Sequence, residues 1–183
     1  MQKVSMLVVF CLLVSACGTL KQAPDTTYYL FDADPVAQQH KVTEARIKLE
    51  KVTLPDYLSG SQLVMRESEH ELIKANYHSW ADSLDESIER ALLNDLNNIN
   101  AENEFVVWCS PCDSISVTIE HFYPSADGKL LLSGYFEISK SKGENKLSHF
   151  QLLDELSVDG YANAVKQMRA QISELAAQIN QNL

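Results

Sequence analysis

The chain has 183 residues, with 15 basic against 25 acidic side chains and a net charge of −10. Such an acidic chain excludes adhesion to nucleic acid or anionic lipid by charge alone, because both need a basic surface. With only six glycines, it has little material for a glycine-rich phosphate loop.

Met1–Lys3 is a short positive start, and Val4–Val14 is uncharged. That run suits the apolar part of a signal peptide and falls short of the roughly 20 residues that span a bilayer. It ends in Leu13-Val14-Ser15-Ala16-Cys17-Gly18, small residues followed by a cysteine, which is the pattern of a lipobox. Residues 1–16 are therefore expected to be a lipoprotein signal peptide, and Cys17 the lipidated N-terminus. Residues 17–26 would form a tether and residues 27–183 a single domain. Gly18, where an aspartate would signal inner-membrane retention, predicts sorting to the inner leaflet of the outer membrane, with the domain facing the periplasm. Acyl chains on Cys17 would contribute roughly 0.8 kcal/mol per buried CH2, enough for a permanent anchor. This covalent lipid is the one added group the sequence calls for; no cofactor is expected.

After the tether, Tyr28-Tyr29-Leu30-Phe31 reads as a short aromatic strand, ended by Asp34-Pro35, with a polar loop from Val36 to Thr43. Ala45–Val52 alternates Ile47 and Leu49 against charged residues, a strand with one buried face. Pro55 and Gly60 break that pattern. Gln62–Arg66 and Glu71–Tyr77 read as two strands of a hairpin turning at Ser68-Glu69-His70. Trp80, Leu84, Ile88, Leu92, Leu96 and Ile99 share one helical stripe, so a helix is expected from Trp80, capped by Ser79 with Asp82 and ending at Asn97-Asn98. Glu104–Trp108, Ser114–Tyr123, Lys129–Ser139 and Leu147–Leu156 read as strands, the last three as an antiparallel meander with an Asp127-Gly128 turn. The alternation slips at Phe122. Tyr161, Val165, Met168, Ile172, Leu175 and Ile179 form a tight seam on a second helix spanning Val158–Leu183, expected to pack on the sheet; a subunit contact is the alternative. The fold class is α+β: a mixed, mostly antiparallel sheet of about eight strands with two long amphipathic helices.

Trp108-Cys109-Ser110-Pro111-Cys112 has the spacing of a redox motif. A reactive cysteine of that type sits at a helix N-terminus, and here a β-branched strand pattern follows. In an oxidising compartment, Cys109 and Cys112 are expected to form a structural disulfide. The five histidines show no metal-binding spacing, so no metal site is expected. No serine lies in a nucleophile-elbow setting, and the sequence points to no catalytic residue and to no enzyme.

Leu54-Pro55-Asp56-Tyr57-Leu58 through Arg66, with the lipobox, Tyr28-Tyr29-Leu30 and Trp80-Ala81-Asp82-Ser83-Leu84 in order, resembles the PqiC/YmbA-like family, auxiliary lipoproteins of ABC-type transport systems. The resemblance spans nearly the whole mature chain and rests on order and spacing rather than on any one motif. It implies an outer-membrane lipoprotein that docks an MCE-domain tunnel protein (paraquat-inducible protein B-like) and supports lipid traffic and envelope integrity. It also implies self-assembly into a homo-oligomer, with a ring as one arrangement. Pro55, Tyr57, Leu58 and Arg66 are then the candidate partner or subunit contacts, against the plainer reading that they pack the fold. The alternatives are a standalone periplasmic lipid- or ligand-binding lipoprotein, and a thiol oxidoreductase acting through Cys109 and Cys112.

Overall fold

The computed structural model describes residues 23–31 and 45–183. The leader, Cys17 and the loop expected at 36–43 lie outside the described residues. Among the described residues, eight strands and two α-helices follow one another as β1 (Thr27–Tyr29), β2 (Arg46–Leu49), a 3-10 turn (Asp56–Leu58), β3 (Gln62–Ser68), β4 (Glu71–Trp80), α1 (Leu84–Ile99), β5 (Glu104–Val106), β6 (Asp113–Pro124), β7 (Lys129–Ser139), β8 (Lys146–Glu155) and α2 (Tyr161–Gln181). The α+β class holds, with the strands divided between two sheets ordered β1-β4-β3 and β5-β2-β6-β7-β8.

The larger sheet is organised by alternation. Leu130, Leu132, Phe136 and Ile138 of β7, Ile115, Val117 and Ile119 of β6, and Phe150 and Leu152 of β8 are buried. Against them pack Ile88, Leu92 and Leu96 of α1 and Val165, Met168, Ile172, Leu175 and Ile179 of α2. The seam of α2 is thus spent inside the fold. The helices are also clamped to each other, because Arg169 donates twice to the Asp95 carboxylate, at 2.6 and 2.8 Å.

The helix expected from Trp80 begins four residues later, at Leu84, with Ser83 at its N-cap. Trp80 closes β4 instead: its amide donates to the Ser61 carbonyl at 2.6 Å. Its ring packs on Phe31, which in turn faces Phe122, with centroids 4.9 and 6.1 Å apart. Trp80 fits the helical stripe by spacing, but the hairpin uses its backbone. The strand expected at Glu104–Trp108 ends at Val106, leaving Trp108 exposed. The outer edge of β5 is covered by Asn97, whose side-chain amide exchanges two 2.9 Å hydrogen bonds with Phe105. That blunts an edge strand that would otherwise present free backbone groups.

The slip in alternation at Phe122 is a β-bulge. Ile119 faces Gly134 across the ladder, and His121 faces Ser133, so Glu120 is the extra residue. Side chains change face every residue along a strand. The bulge takes up the inserted residue with Glu120 and His121 both outside, so that Phe122 still turns into the core; Phe122 is fully buried. Gly134 is required opposite the bulge, because a Cβ there would lie 2.1 Å from the Thr118 carbonyl oxygen. Gly134→Ala is expected to cost about 3 kcal/mol or more by overpacking, read as a fall in urea-unfolding free energy, whereas Ser133→Ala on the outer face should change it little.

Candidate functional site

Two surface clefts stand out among the described residues, one beside the tip of the β3–β4 hairpin and one where α1 and α2 end. Past the end of β2 the chain continues along β6: Thr53 donates to the Val117 carbonyl and Ile119 donates to the Thr53 carbonyl, both at 2.9 Å. The next donor in a parallel ladder would be residue 55. Pro55 has no N–H, so pairing stops there, with its ψ of 154° leading into the 3-10 turn. The turn buries Leu58 at 4% exposure and leaves Tyr57 half-buried over the bulge. The Tyr57 hydroxyl donates to the carbonyl of the bulged Glu120 at 2.9 Å, with His121 Nδ1 at 3.5 Å.

Arg66, on β3, completes the arrangement. Its guanidinium lies over the Tyr123 ring at 5.9 Å, and its backbone carbonyl accepts from Ala126 at 2.8 Å. The Tyr123 ring stands 6.3 Å from that of Tyr57 and 5.7 Å from that of His121. Together with Glu69, His70, Glu71 and Leu72 at the β3–β4 hairpin tip, these side chains line a cleft of about 200 Å³. Burial, and then the neighbouring Tyr123, push the Tyr57 phenol up to about 12. Of the four candidate contacts, Tyr57 and Arg66 meet at this cleft. Pro55 starts the turn that presents Tyr57, and Leu58 holds that turn from the core. His121, Tyr123 and the two glutamates carried no local sequence signal, except that the slipped alternation at Phe122 marked where β6 turns outward.

The second cleft, of about 940 Å³, lies where α1 and α2 end and is lined by Arg46, Ile99, Trp108, Cys109, Pro111 and Leu183 among others. Cys109 and Cys112 are bonded at 1.98 Å. They clip the link between β5 and β6, two strands that both run parallel to β2 and flank it. Parallel strands usually need a crossover of a dozen residues or more, and this one occupies only residues 107–112. Asp113 opens β6 immediately afterwards, so no helix N-terminus faces the sulfurs. The Asp113 carboxyl is lowered from its ordinary value, first by the Ser141 backbone N–H. Among the described residues, no group of three or more His, Cys, Asp or Glu side chains could hold a metal ion. Nor is any described helix long and apolar enough to cross a membrane.

The family model for the ABC-type transport auxiliary lipoprotein component matches residues 28–180. The chain belongs to this family. It is 31% identical over 139 residues to the intermembrane transport lipoprotein PqiC of Escherichia coli (strain K12), covering 74% of this chain and 73% of the relative, and matches the PqiC of Shigella flexneri to the same extent. Two crystal structures share the fold. One is of an uncharacterized protein, with TM-score 0.77 and 24% identity over 87% of this chain and 99% of that one. The other is of a Xanthomonas campestris protein, with TM-score 0.67 and 10% identity over 84% and 92%. As a transport auxiliary lipoprotein, the chain belongs to a family of transport components rather than to a family of enzymes.

Two outcomes are expected. The folded state holds the Tyr57 proton more tightly than the unfolded chain does. Its contribution is therefore complete below pH 10.0 and is lost as pH rises toward about 12. Unfolding free energy should fall less steeply across that window in Tyr57→Phe than in the wild type. Replacing Cys109 and Cys112 together by serine should cost about 2 kcal/mol, the closure entropy of so short a loop, with faster amide exchange confined to β5 and the link after it.

Proposed function

We propose that this lipoprotein is the outer-membrane subunit of an MCE/Pqi-type intermembrane lipid transport system. It is held to the inner leaflet by lipid on Cys17, with residues 27–183 as one domain in the periplasm, and it docks the tunnel protein that crosses the periplasm. The observation that carries this reading is family membership, with 31% identity to a protein named as an intermembrane transport lipoprotein. In this role the domain binds and positions rather than catalyses, and it needs no cofactor beyond its lipid.

The geometry supports a docking module with two distinct poles. β1 follows the tether directly and pairs with His78–Trp80 at the end of β4. His78 stacks on Tyr161, the first residue of α2, with centroids 3.9 Å apart. The tether therefore enters where both helices begin. Ile99, Trp108 and Leu183 lie where they end, about 24 to 32 Å away at 1.5 Å per helical residue. Lipid at one pole leaves the other free to face the periplasm and a partner. The Tyr57–Arg66 cleft then serves on the flank of the complex, where cargo or a subunit would pass, and self-assembly into a homo-oligomer is part of the same reading.

The test is envelope cross-linking followed by purification of the lipoprotein. The expected result is co-purification with an MCE-domain protein, lost in Cys17→Ala because that variant leaves the membrane. Recovery without any MCE-domain partner from cross-linked envelopes would contradict the docking role.

A further inference from the structure

Arg66 stands apart from the other arginines. Arg46 pairs with Glu104 at 2.9 Å, Arg90 with Asp82 at 2.6 Å and Arg169 with Asp95 at 2.6 Å. Arg66 is half-buried and has no carboxylate within ion-pair distance among the described residues. Asp127, the acid that feels its charge, is taken by Lys129 at 2.9 Å. Its place over the Tyr123 ring, 5.9 Å from the centroid, spends none of the N–H donors at the edge of the guanidinium on that contact. A half-desolvated cation without a counter-ion is costly to keep. The cleft that holds it is also lined by Tyr57 and His121 from the large-sheet side of the chain and by Glu69 and Glu71 from the β3–β4 hairpin.

The geometry points to a binding site for the headgroup of a zwitterionic phospholipid, with its phosphate on Arg66 and its primary ammonium on Glu69 and Glu71. A simple anion would meet repulsion from the two carboxylates, and a simple cation would meet Arg66. A phosphate ester carrying an ammonium satisfies both ends at once. Arginine suits the phosphate by its forked donors, and the carboxylates and aromatic faces suit the ammonium. The volume of about 200 Å³ admits a headgroup and not acyl chains. Leu72, 40% exposed at the cleft, gives the first apolar surface for the chains outside it. Selectivity follows from the same arrangement: a phosphatidylglycerol headgroup would keep the contact with Arg66 and leave both glutamates unmatched. This inference rests on the transport reading above, and names the chemistry that the flank of the complex recognises.

The test is native mass spectrometry of the full mature lipoprotein in detergent micelles supplied with phosphatidylethanolamine or phosphatidylglycerol. The expected result is a phosphatidylethanolamine adduct favoured by about tenfold, the worth of one charge-assisted contact. It should be competed by soluble O-phosphoethanolamine and not by inorganic phosphate. Arg66→Gln should lose the adduct, while Arg90→Gln keeps it. Should Arg66→Gln fail to melt cooperatively, the pair Glu69→Gln and Glu71→Gln leaves Arg66 in place. It should erase the preference between the two lipids while keeping an adduct with each. Equal adducts with both lipids in the wild type, an unchanged adduct in Arg66→Gln that melts normally, or competition by inorganic phosphate at equal strength would overturn the site. Retention of soluble phosphoethanolamine with no lipid adduct would overturn its assignment to a lipid. Lost lipid selectivity with intact co-purification of an MCE-domain protein removes this site alone. Intact selectivity without that partner removes the docking role alone.

Discussion

The working surface depends on one interruption, where the backbone ladder between the β2 extension and β6 stops. Pro55 withdraws a donor on one strand, and the bulge at Glu120 offsets the other at the same level. Either change alone would leave backbone groups without partners, which is expensive in a buried setting. Together they match: the Glu120 carbonyl, freed from regular pairing, accepts the Tyr57 hydroxyl. A bulge also bends its strand and redirects its side chains. Here it directs Phe122 into the core beside Phe31, and leaves His121 on the cleft side. Gly134 supplies the clearance.

That interruption also ties the small sheet to the large one. Arg66 bridges to Ser125 just past the end of β6, and the Phe31–Trp80–Phe122 ring cluster joins β4 to β6. The hairpin carrying Glu69 and Glu71 is therefore fixed against the strand that carries His121 and Tyr123. The hairpin supplies the charges of the site, Arg66, Glu69 and Glu71, and the large sheet supplies the rings of His121 and Tyr123 against which they stand. At the other pole a different device solves a similar problem, since the disulfide holds a connection too short for an ordinary parallel crossover. Both devices sit at strand ends, where regular pairing runs out.

Much of the fold was legible because it is periodic. The meander of β6, β7 and β8 alternates, apart from the slip at Phe122, and turns at Asp127-Gly128, and the seam of α2 repeats at helical spacing. What was not legible is non-local. The division into two sheets depends on β1 pairing in parallel with β4 across intervening chain, and on β2 lying between β5 and β6. No window of sequence contains those pairings. Trp80 was misplaced onto the helix because a stripe constrains side chains and says nothing of its amide, which bonds Ser61. The cleft was half legible: Tyr57 and Arg66 stand in the segment that carries the family resemblance. Their partners His121, Tyr123, Glu69 and Glu71 come from elsewhere in the chain. The slip at Phe122 was visible as a broken rhythm, and its meaning required the opposite strand.

Exchanging the two side chains after the bulge, His121→Phe together with Phe122→His, tests the dependence of core and cleft on this interruption most directly, read by equilibrium unfolding in urea. The bulge turns position 122 inward and position 121 outward, so the exchange buries an imidazole and exposes a phenyl ring. The expected result is a loss above about 4 kcal/mol, or no cooperative transition at all. An exchanged variant that unfolds cooperatively within about 1 kcal/mol of the wild type would contradict it, because the strand would then not need the bulge to place Phe122 and His121.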